Sequence, residues 1–440
     1  MNNIIIYKNK DVGILGLGVS GLAAAKVLLN SKANIFVFDD QKEKPSIIKK
    51  SSWINYNYWP WESIKTLVVS PGIPINNKEK HNAIKLAIDN NVQIINDIDL
   101  FVETNPKAKI IGVTGTNGKS TTAALLFHIL KFNKIKSVIC GNFGIPACSI
   151  KDPGEHGVII LELSSYQLDG AKKLSLDMAA IINITPDHLD YHENFDRYVS
   201  CKLKIINFLK TNGIFFFDKS NKLLNKIIDS KKYNSLKFIR THKNEAKNFT
   251  NDNNYLKGTH NEINASIAIS IAKKLSINDN KIQLAIKSFK GLSHRMEPLY
   301  ISENLQIIND SKSTNGESTA AALKSFSNIF WIVGGKPKND GIGHAKKFLD
   351  KVVEIFLIGN STNYFSKEIL KFNRKIPQNE CITLEKATKL AIKKSKKSKL
   401  KNYVILFSPS AASFDQFKNF EDRGNKFKQI VNSQLDKGVI

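Results

Sequence analysis

A glycine-rich turn followed by a lysine and a serine could bind phosphate. The turn consists of Gly115, Thr116, Asn117, Gly118, Lys119, Ser120 and Thr121. It follows the apolar run 110–113, and a helix is expected to begin near Ser120. Glycines let successive backbone amides point at phosphate oxygens, the helix adds its positive dipole end, and Lys119 adds charge. The pattern predicts a nucleoside triphosphate site, although Val113 stands where the general motif has glycine.

Possible metal ligands follow two predicted strands of the same sheet. Glu162 follows the apolar run 158–161, and His188 follows the run 179–182 within Asp187-His188-Leu189-Asp190. Magnesium prefers hard oxygen ligands, so Glu162, the Ser120 hydroxyl and phosphate oxygens could share one ion. A ring nitrogen of His188 could bind a second metal.

A second glycine motif lies near the start of the chain. Gly16, Gly18 and Gly21 match G-x-G-x-x-G, and the acids Asp39 and Asp40 come about 20 residues later. The same geometry binds NAD or any other diphosphate, including that of a UDP-sugar. The rigid turn 70–74, which begins with Ser70, follows another predicted strand at the edge where ligands of open α/β sheets bind.

These motifs require alternating strands and helices to position them. Apolar runs predict three consecutive α/β domains: a Rossmann-like domain over 1–97, a central phosphate-loop ATPase-like domain over 98–291 and a Rossmann-like domain over 292–440. Strands are predicted at 12–15, 35–38, 66–69, 92–95, 158–161, 179–182, 214–217, 329–333, 353–358 and 403–407. Helices are predicted at 22–29, 78–89, 315–324, 384–397 and 415–434.

Composition excludes several other classes of protein. The chain of 440 residues has a formal charge of +26. Its lysines are spread along the whole chain, and no arginine-rich cluster is present, so we expect no nucleic-acid binding. The four cysteines lack metal or disulfide spacing, which indicates buried thiols in a reducing compartment. The first residues lack the apolar region and cleavage site of a signal peptide, and no apolar run approaches ~18 residues, so we expect a cytoplasmic protein without membrane insertion. We expect a monomer.

Several motifs together resemble those of the Mur ligases, which join an amino acid to a carboxylate using ATP. The resemblance spans essentially the whole chain. Its motifs are Thr-Gly-Thr-Asn-Gly-Lys-Ser at 114–120, Asp-His-Leu-Asp at 187–190, Gly-Thr-His-Asn-Glu-Ile-Asn at 258–264, Gly-Leu-Ser-His-Arg at 291–295 and Asp-Ser-Lys-Ser-Thr-Asn at 310–315. The loop at 114–120 is also similar to that of the folylpolyglutamate synthases.

The resemblance implies roles around ATP that spacing alone does not reveal. Lys202 corresponds to a lysine that is carbamylated beside two Mg²⁺ ions in the family. The other implied ATP contacts are Asn261 and Asn264 at the adenine, Arg295 at phosphate when the third domain closes, and Asp310 and Lys312 at the nucleotide. Lys119, His188, Lys202 and Arg295 are then the expected catalytic residues.

The ends of the chain indicate the substrates. Residues 407–424 resemble the C-terminal motif of the family branch that adds D-glutamate to UDP-N-acetylmuramoyl-L-alanine. The implied amino-acid contacts are Thr314, Lys338, Ser413 and Phe420, and the implied contacts to the UDP-substrate are Val19, Ser20, Asp39, Asp40, Ser70 and, at the muramoyl group, Asn142. Gln41 stands where the family often has a basic residue.

The implied reaction is a cytoplasmic step of peptidoglycan biosynthesis. ATP phosphorylates the L-alanyl carboxylate, and the amine of D-glutamate attacks the acyl phosphate. A sibling ligase, or one like the folylpolyglutamate synthases, would share the central motifs but lack the 408–424 segment. A Rossmann dehydrogenase would explain only residues 11–40, and a non-catalytic nucleotide-binding module would leave the metal and phosphate residues without a role.

Overall fold

The computed structural model describes residues 4–40, 45–229, 236–256, 258–337, 341–398 and 400–439. The chain forms two compact units. The first comprises Met1–Asp252 and Asn261–Ser288, and the second comprises Asn253–His260 and Phe289–Ile440. Two parallel sheets lie in the first unit and one mixed sheet lies in the second.

The first sheet of unit 1 is parallel and has the order β2-β1-β3-β4. Its strands are β1 (Asp11–Leu15), β2 (Asn34–Phe38), β3 (Thr66–Val69) and β4 (Gln93–Asn96). The accompanying helices are α1 (Val19–Asn30), α2 (Asn82–Asp89) and α3 (Asp97–Val102). Helices on the faces of a parallel sheet bury both sides of its strands, which explains why every residue of β3 is buried. The predicted Rossmann-like opening is confirmed.

The second sheet of unit 1 is also parallel, with the order β10-β9-β8-β5-β7-β6. Its strands are β5 (Lys109–Thr114), β6 (Ser137–Gly141), β7 (Val158–Glu162), β8 (Leu176–Ile181), β9 (Leu209–Asp218) and β10 (Lys237–Thr241). Its helices are α4 (Lys119–Phe132), α5 (Ser165–Gly170), α6 (Leu189–His192), α7 (Phe195–Asn207), α8 (Lys222–Ile228), α9 (Lys243–Thr250), α10 (Thr259–Lys274) and α11 (Asp279–Ser288). Because β5 lies between β7 and β8, the segments that follow these three strands are neighbours at one edge of the sheet.

The sheet of unit 2 has the order β11-β12-β16-β13-β14-β15, in which only the edge strand β11 is antiparallel to its neighbour. Its strands are β11 (Glu297–Ile301), β12 (Leu305–Asn309), β13 (Ile329–Gly334), β14 (Val352–Ile358), β15 (Gln378–Ile382) and β16 (Tyr403–Phe407). Its helices are α12 (Gly316–Lys324), α13 (Thr362–Leu370), α14 (Leu384–Lys397) and α15 (Phe420–Asp436). The alternating pattern predicted for the third segment is therefore present.

Two predicted helices begin too early. The helix predicted at 415–434 starts at Phe420, because the side chain of Asn419 accepts a hydrogen bond from the Asp422 amide and caps α15 there. The helix predicted at 78–89 starts at Asn82, where His81 is the capping residue. Apolar periodicity predicts which segment is helical but not the residue at which an N-terminal cap starts the helix.

Further sequence-based expectations concern burial and membranes. The four cysteines are free and buried, as predicted. No helix among the described residues is long and apolar enough to cross a membrane. The boundaries 1–97, 98–291 and 292–440 stay predictions.

Candidate functional site

The glycines of the predicted phosphate loop have backbone conformations that favour glycine. Strand β5 ends at Thr114, Gly115 has φ 159°, and Gly118 has φ 87° as the N-terminal cap of α4. A Cβ atom on Gly118 would lie 2.1 Å from Oδ1 of Asn264. Ser120 and Thr121 lie buried in the first turn of α4. The strand, turn and helix of a phosphate loop are therefore all present.

The segment that follows β8 holds this loop in place. The amide of Asn117 donates to Oδ1 of Asn183 at 2.9 Å, and Nδ2 of Asn183 donates back to the Asn117 carbonyl at 3.0 Å. The Thr116 hydroxyl donates to the Thr185 carbonyl at 3.0 Å and lies 3.0 Å from the Tyr198 hydroxyl. Reciprocal bonds of this kind fix the loop before any ligand binds.

Two lysine side chains converge on the same carbonyl oxygen of the loop. Nζ of Lys119 and Nζ of Lys202 each lie 2.9 Å from the Gly115 carbonyl. Lys202 is only 1% exposed, and its Nζ lies 4.7 Å from the centre of the Tyr198 ring. Burial, reinforced by the charge of Lys119, lowers the pKa of Lys202 well below its ordinary value. This favours the neutral amine, which is the form that reacts with CO₂.

Glu162, at the end of β7, has one carboxylate oxygen available. The side chain is 1% exposed, and Oε1 accepts a hydrogen bond from Nδ2 of Asn142 at 2.8 Å. Oε2 is buried and has no hydrogen-bond partner in the described part of the chain. A buried carboxylate oxygen without a partner is costly, so this atom suits a cation.

The residues predicted to bind metal do not form a complete protein cage. Within the described ranges, no group of three or more His, Cys, Asp and Glu side chains could hold an ion. An ion at Glu162 would therefore need other oxygen ligands, such as the Ser120 hydroxyl and ligand phosphates. Magnesium is usually bound in this way, through one or two carboxylates together with phosphates.

His188 lies at the start of α6 in a left-handed conformation with φ 53°. Its Nδ1 lies 2.7 Å from the Tyr166 hydroxyl, and its Nε2 lies 3.5 Å from Oδ2 of Asp187. His192 is fully buried nearby, with Nε2 2.9 Å from the Ser165 hydroxyl, and burial lowers the pKa of its imidazole to about 4. Tyr166 and Asp187 therefore restrict the orientation of the His188 ring.

The two asparagines predicted at the adenine lie on the first turns of α10. Nδ2 of Asn264 donates to Oδ1 of Asn261 at 3.2 Å, and both side chains are buried. The close approach of Asn264 to Gly118 brings this pair to the phosphate loop. The predicted nucleotide residues of unit 1 therefore lie together.

The first glycine motif forms a second loop, at the carboxyl edge of the first sheet. The Leu17 amide donates to Oδ2 of Asp39 at 2.6 Å, and the Ser70 hydroxyl donates to the Gly16 carbonyl at 2.8 Å. Ser20 hydrogen-bonds Asp97, and Val19 is 75% exposed at the start of α1. The structure thus brings Val19, Ser20, Asp39 and Ser70 together around one loop, with Asp40 next to Asp39 in the chain.

In unit 2, the segment after β12 is fixed by buried polar contacts. Oδ2 of Asp310 accepts hydrogen bonds from the hydroxyls of Ser313 and Ser408, and Oδ1 accepts from the Met296 amide. Burial raises the pKa of Asp310 to about 6. Arg295, in the link before β11, lowers that pKa electrostatically and is therefore near Asp310.

The segment that resembles the C-terminal motif contains a buried arginine, Arg423. The Arg423 guanidinium donates from Nε to the Ser311 hydroxyl at 3.1 Å, and from Nη2 to the Ser311 and Ala411 carbonyls at 2.9 and 3.0 Å. Burial lowers the pKa of Arg423 to about 10. Nζ of Lys312 lies 3.7 Å from the centre of the Phe420 ring, and Ser413 is buried. Thr314 immediately precedes the Asn315 cap of α12, and Lys338 lies outside the described residues.

Sequence reasoning missed the residues that support the site. Tyr166 contacts His188, and Tyr198 contacts Thr116. Asn183 contacts the backbone of the phosphate loop. Tyr198 could have been found, since it lies four residues before Lys202 on α7 and therefore on the same helix face. No comparable signal marked Tyr166.

Two family models match the chain. Residues 10–96 match the Mur ligase MurD-like, N-terminal domain, and residues 113–286 match the Mur ligase middle domain. A UDP-N-acetylmuramoylalanine--D-glutamate ligase of Wolbachia sp. subsp. Brugia malayi is 34% identical, covering 99% of this chain and 98% of its own length. The Rickettsia prowazekii protein with the same name is 35% identical over 96% of this chain and 98% of its own.

Solved structures agree on the fold. UDP-N-acetylmuramate-alanine ligase MurC from Thermotoga maritima matches with a TM-score of 0.57 at 18% identity, over 96% of this chain and 99% of its own. MurF ligase from the same organism, in complex with ADP, matches with a TM-score of 0.57 at 17% identity. The match covers 87% of this chain and 97% of the MurF chain. Because both sequence identities are below 20%, these two structures support the three-domain fold of this chain and nothing about its activity.

Proposed function

The chain belongs to the Mur ligases, in the family of UDP-N-acetylmuramoylalanine--D-glutamate ligases, and on that premise we propose that it joins D-glutamate to UDP-N-acetylmuramoyl-L-alanine using ATP. This reaction extends a peptidoglycan precursor by one residue. Near-complete coverage at 34% and 35% identity supports the assignment to this branch.

One juxtaposition carries the chemical argument. The phosphate loop and the available oxygen of Glu162 lie at the carboxyl ends of the neighbouring strands β5 and β7, and Nζ of the buried Lys202 on α7 lies 2.9 Å from the Gly115 carbonyl of the loop. A dehydrogenase would need none of these groups. They suit phosphoryl transfer, where catalysis consists mainly of positioning and of offsetting negative charge.

ATP would occupy unit 1 through the loop and α10. The amides from Gly115 to Thr121 would bind phosphate oxygens, and Asn261 and Asn264 would contact the adenine with side chains that both donate and accept. Lys119 would exchange its carbonyl contacts for a phosphate oxygen, because an ammonium group is attracted more strongly to an anion than to a neutral carbonyl. In unit 2, Arg295, Asp310 and Lys312 would complete the nucleotide contacts.

Glu162, Ser120, His188 and a carbamylated Lys202 would hold two Mg²⁺ ions. The available Oε2 of Glu162 and the depressed pKa of Lys202 suit this role, since carbamylation converts a neutral amine into an oxygen-donor anion. Bound Mg²⁺ would neutralise charge on the phosphates during transfer. The contact with Tyr166 would keep the His188 ring in one orientation.

The reaction would proceed in two steps. An oxygen of the L-alanyl carboxylate attacks the γ-phosphorus of ATP, the bond to the bridging oxygen breaks, and ADP leaves. The amine of D-glutamate then attacks the acyl phosphate carbon, loses a proton, and expels phosphate from the tetrahedral intermediate. Lys119 and Arg295 would offset the negative charge on the transferring group.

The remaining predicted residues would select the substrates. Val19, Ser20, Asp39, Asp40 and Ser70 would bind the UDP portion, and Asn142 would contact the muramoyl group. Thr314, Lys338, Ser413 and Phe420 would bind D-glutamate. We further propose that the enzyme acts as a cytoplasmic monomer without nucleic-acid partners.

Phosphate release from ATP tests this proposal directly. We expect turnover with Mg²⁺, UDP-N-acetylmuramoyl-L-alanine and D-glutamate, and none when L-glutamate or L-alanine replaces D-glutamate. Lys119→Met should lose at least about 100-fold in kcat, as expected for a residue that stabilises transferring charge. Lys109→Met, which changes an exposed lysine at the start of β5, should behave as the parent enzyme. Turnover with another amino acid would instead assign a sibling activity.

A further inference from the structure

Asp97 is a buried acid in unit 1 to which the proposed reaction gives no role. It is the first residue of α3, directly after β4, and it is 3% exposed. Its Oδ2 accepts a hydrogen bond from Nε2 of Gln167 on α5 at 3.0 Å, and Ser20 on α1 also hydrogen-bonds the carboxylate. The Asp97 carbonyl accepts from Sγ of Cys148 at 3.2 Å. Asp97 therefore joins three segments that are distant in the chain.

Stability alone does not account for an acid at this position. Burial raises the pKa of Asp97, and the hydrogen bonds with Gln167 and Ser20 counteract the rise. Taking a carboxylate out of water is costly, and an apolar side chain of similar volume commonly stabilises a buried position at least as well. The acid is therefore better explained by what its hydrogen bonds position than by the stability they add.

Gln167 connects Asp97 to the first turn of α5. The Ser164 amide only donates, and it lies 3.2 Å from Oε1 of Gln167, which closes the capping box at the start of the helix. Nε2 of Gln167 is then the donor that faces Asp97. The Gln167 carbonyl also accepts from Nδ2 of Asn96, the last residue of β4, at 2.8 Å. Two buried hydrogen bonds of opposite direction thus attach the start of α5 to the end of β4.

The same turn of α5 carries the side chain that contacts His188. The Tyr166 hydroxyl lies 2.7 Å from Nδ1 of His188, and the neighbouring Ser165 hydroxyl lies 2.9 Å from Nε2 of His192. Because hydrogen bonds in proteins rarely exceed about 3.2 Å, a displacement of α5 by about 1 Å would break the contact of Tyr166 with His188. The orientation of the His188 ring therefore depends on where α5 begins.

We propose that Asp97 and Gln167 are positioning residues, which hold the first turn of α5 so that Tyr166 keeps the His188 ring in one orientation. This inference rests on the proposed function and adds to it two residues that act through Tyr166. Ser20, in the first glycine loop, hydrogen-bonds the same carboxylate. The pair therefore also connects the loop proposed to bind the UDP portion with the segment that supports His188.

Exchange of the donor of this pair tests the proposal. Gln167→Glu keeps the capping box, since a glutamate carboxylate also accepts from the Ser164 amide, but places a second acid against Asp97. The two carboxylates repel each other and should move the first turn of α5. We expect changed ¹⁵N shifts of the His188 ring in the protein without ligands, assigned by comparison with His188→Gln. We also expect kcat about tenfold lower and a higher Mg²⁺ concentration for half-maximal activity, as for other residues that orient a metal-binding histidine.

A second exchange should reverse these effects. Asp97→Asn in the Gln167→Glu background restores one carboxylate and one amide in swapped positions, so that the new amide at position 97 donates to the new carboxylate at position 167. We expect the double variant to regain the parental His188 shifts and a kcat within about threefold of the parent value, because residues in direct contact have effects that do not add.

Two further variants complete the comparison. Asn379→Asp, in unit 2, also replaces an amide that donates to a carboxylate, that of Glu354, and should leave the His188 shifts and kcat unchanged. Asp97→Ala removes the acceptor without introducing repulsion, and it provides the test if Gln167→Glu does not fold. It should also change the His188 shifts. Urea unfolding of each variant measures how much of any effect is lost stability.

Changed His188 shifts in Gln167→Glu that Asp97→Asn reverses would support the proposal. Unchanged shifts in Gln167→Glu and Asp97→Ala, or a double variant that is no better than Gln167→Glu, would overturn it and leave the ligase assignment intact. Absence of turnover by the parent protein with D-glutamate would overturn the proposed function, and the ¹⁵N comparison would still decide whether the pair positions His188.

Discussion

Replacing Gly118 by alanine should separate two costs at the phosphate loop. The residue has φ 87°, a left-handed conformation that costs an L-residue about 1–2 kcal/mol. The added Cβ would also lie 2.1 Å from Oδ1 of the buried Asn264. Forcing extra volume into a packed site costs about 1–3 kcal/mol. Restriction of the unfolded chain returns about 0.4–1 kcal/mol. We therefore expect Gly118→Ala to lower the free energy of unfolding by about 1–5 kcal/mol.

Gly154 provides a matched control in the same unit. It also has φ 87°, but a Cβ atom there would meet no heavy atom of the described residues within 4 Å. Gly154→Ala should therefore show the backbone cost alone, about 1 kcal/mol. The difference between the two variants measures the contact with Asn264.

Urea unfolding followed by circular dichroism gives both values. Combining Gly118→Ala with Asn264→Ala removes the clashing amide, so the cycle should show a coupling energy of about 1–3 kcal/mol. Equal costs for Gly118→Ala and Gly154→Ala, or additive effects in the cycle, would refute the packing argument. Gly118→Ala should also weaken ATP binding, because the loop and Asn264 can no longer adopt the described arrangement together.

Three other predictions concern side chains at the site. Glu162→Gln should remain folded, since one amide oxygen can still accept from Asn142, but should need more Mg²⁺ for half-maximal activity; an unchanged Mg²⁺ requirement would contradict the metal role. Tyr166→Phe should lower kcat about tenfold and change the ¹⁵N shifts of the His188 ring with little loss of stability, because it removes one hydrogen bond; unchanged shifts would exclude a positioning role. His192 has a pKa lowered from 6.5 to about 4, so the folded state binds fewer protons than the unfolded state in that range and stability falls as the pH drops from about 6.5 to about 4. His192→Phe should remove up to about 3 kcal/mol of that pH dependence, measured by unfolding at each pH, and an unchanged slope would show that another group is responsible.

The interior strands β3 and β16 could be predicted from the sequence, whereas the edge strand β15 could not. The apolar runs of β3 and β16 are buried on both faces, and the predicted bounds match the observed ones. The edge strand β15 reads Gln-Asn-Glu-Cys-Ile, since one of its sides faces solvent and tolerates polar residues. It carries no apolar run that a sequence pattern could detect.

The candidate site shows a similar division. The loop at 115–121 and Glu162 were found because their chemistry requires residue types at fixed positions relative to strands. The depressed pKa of Lys202 could not be predicted, because its cause is burial beside Lys119, a contact between distant parts of the chain. The pairing of His81 with Asp40 likewise joins two elements 41 residues apart.

Transfer of labelled oxygen tests the central claim most directly. UDP-N-acetylmuramoyl-L-alanine carrying ¹⁸O in its alanyl carboxylate would be incubated with the enzyme, ATP, Mg²⁺ and D-glutamate, and the released phosphate analysed by mass spectrometry. Attack of the carboxylate on the γ-phosphorus moves one carboxylate oxygen into the phosphate, so the account predicts ¹⁸O-labelled phosphate that forms only when D-glutamate is converted to product. Unlabelled phosphate accompanying product formation would contradict the acyl-phosphate mechanism, and absence of product with D-glutamate would contradict the proposed reaction itself.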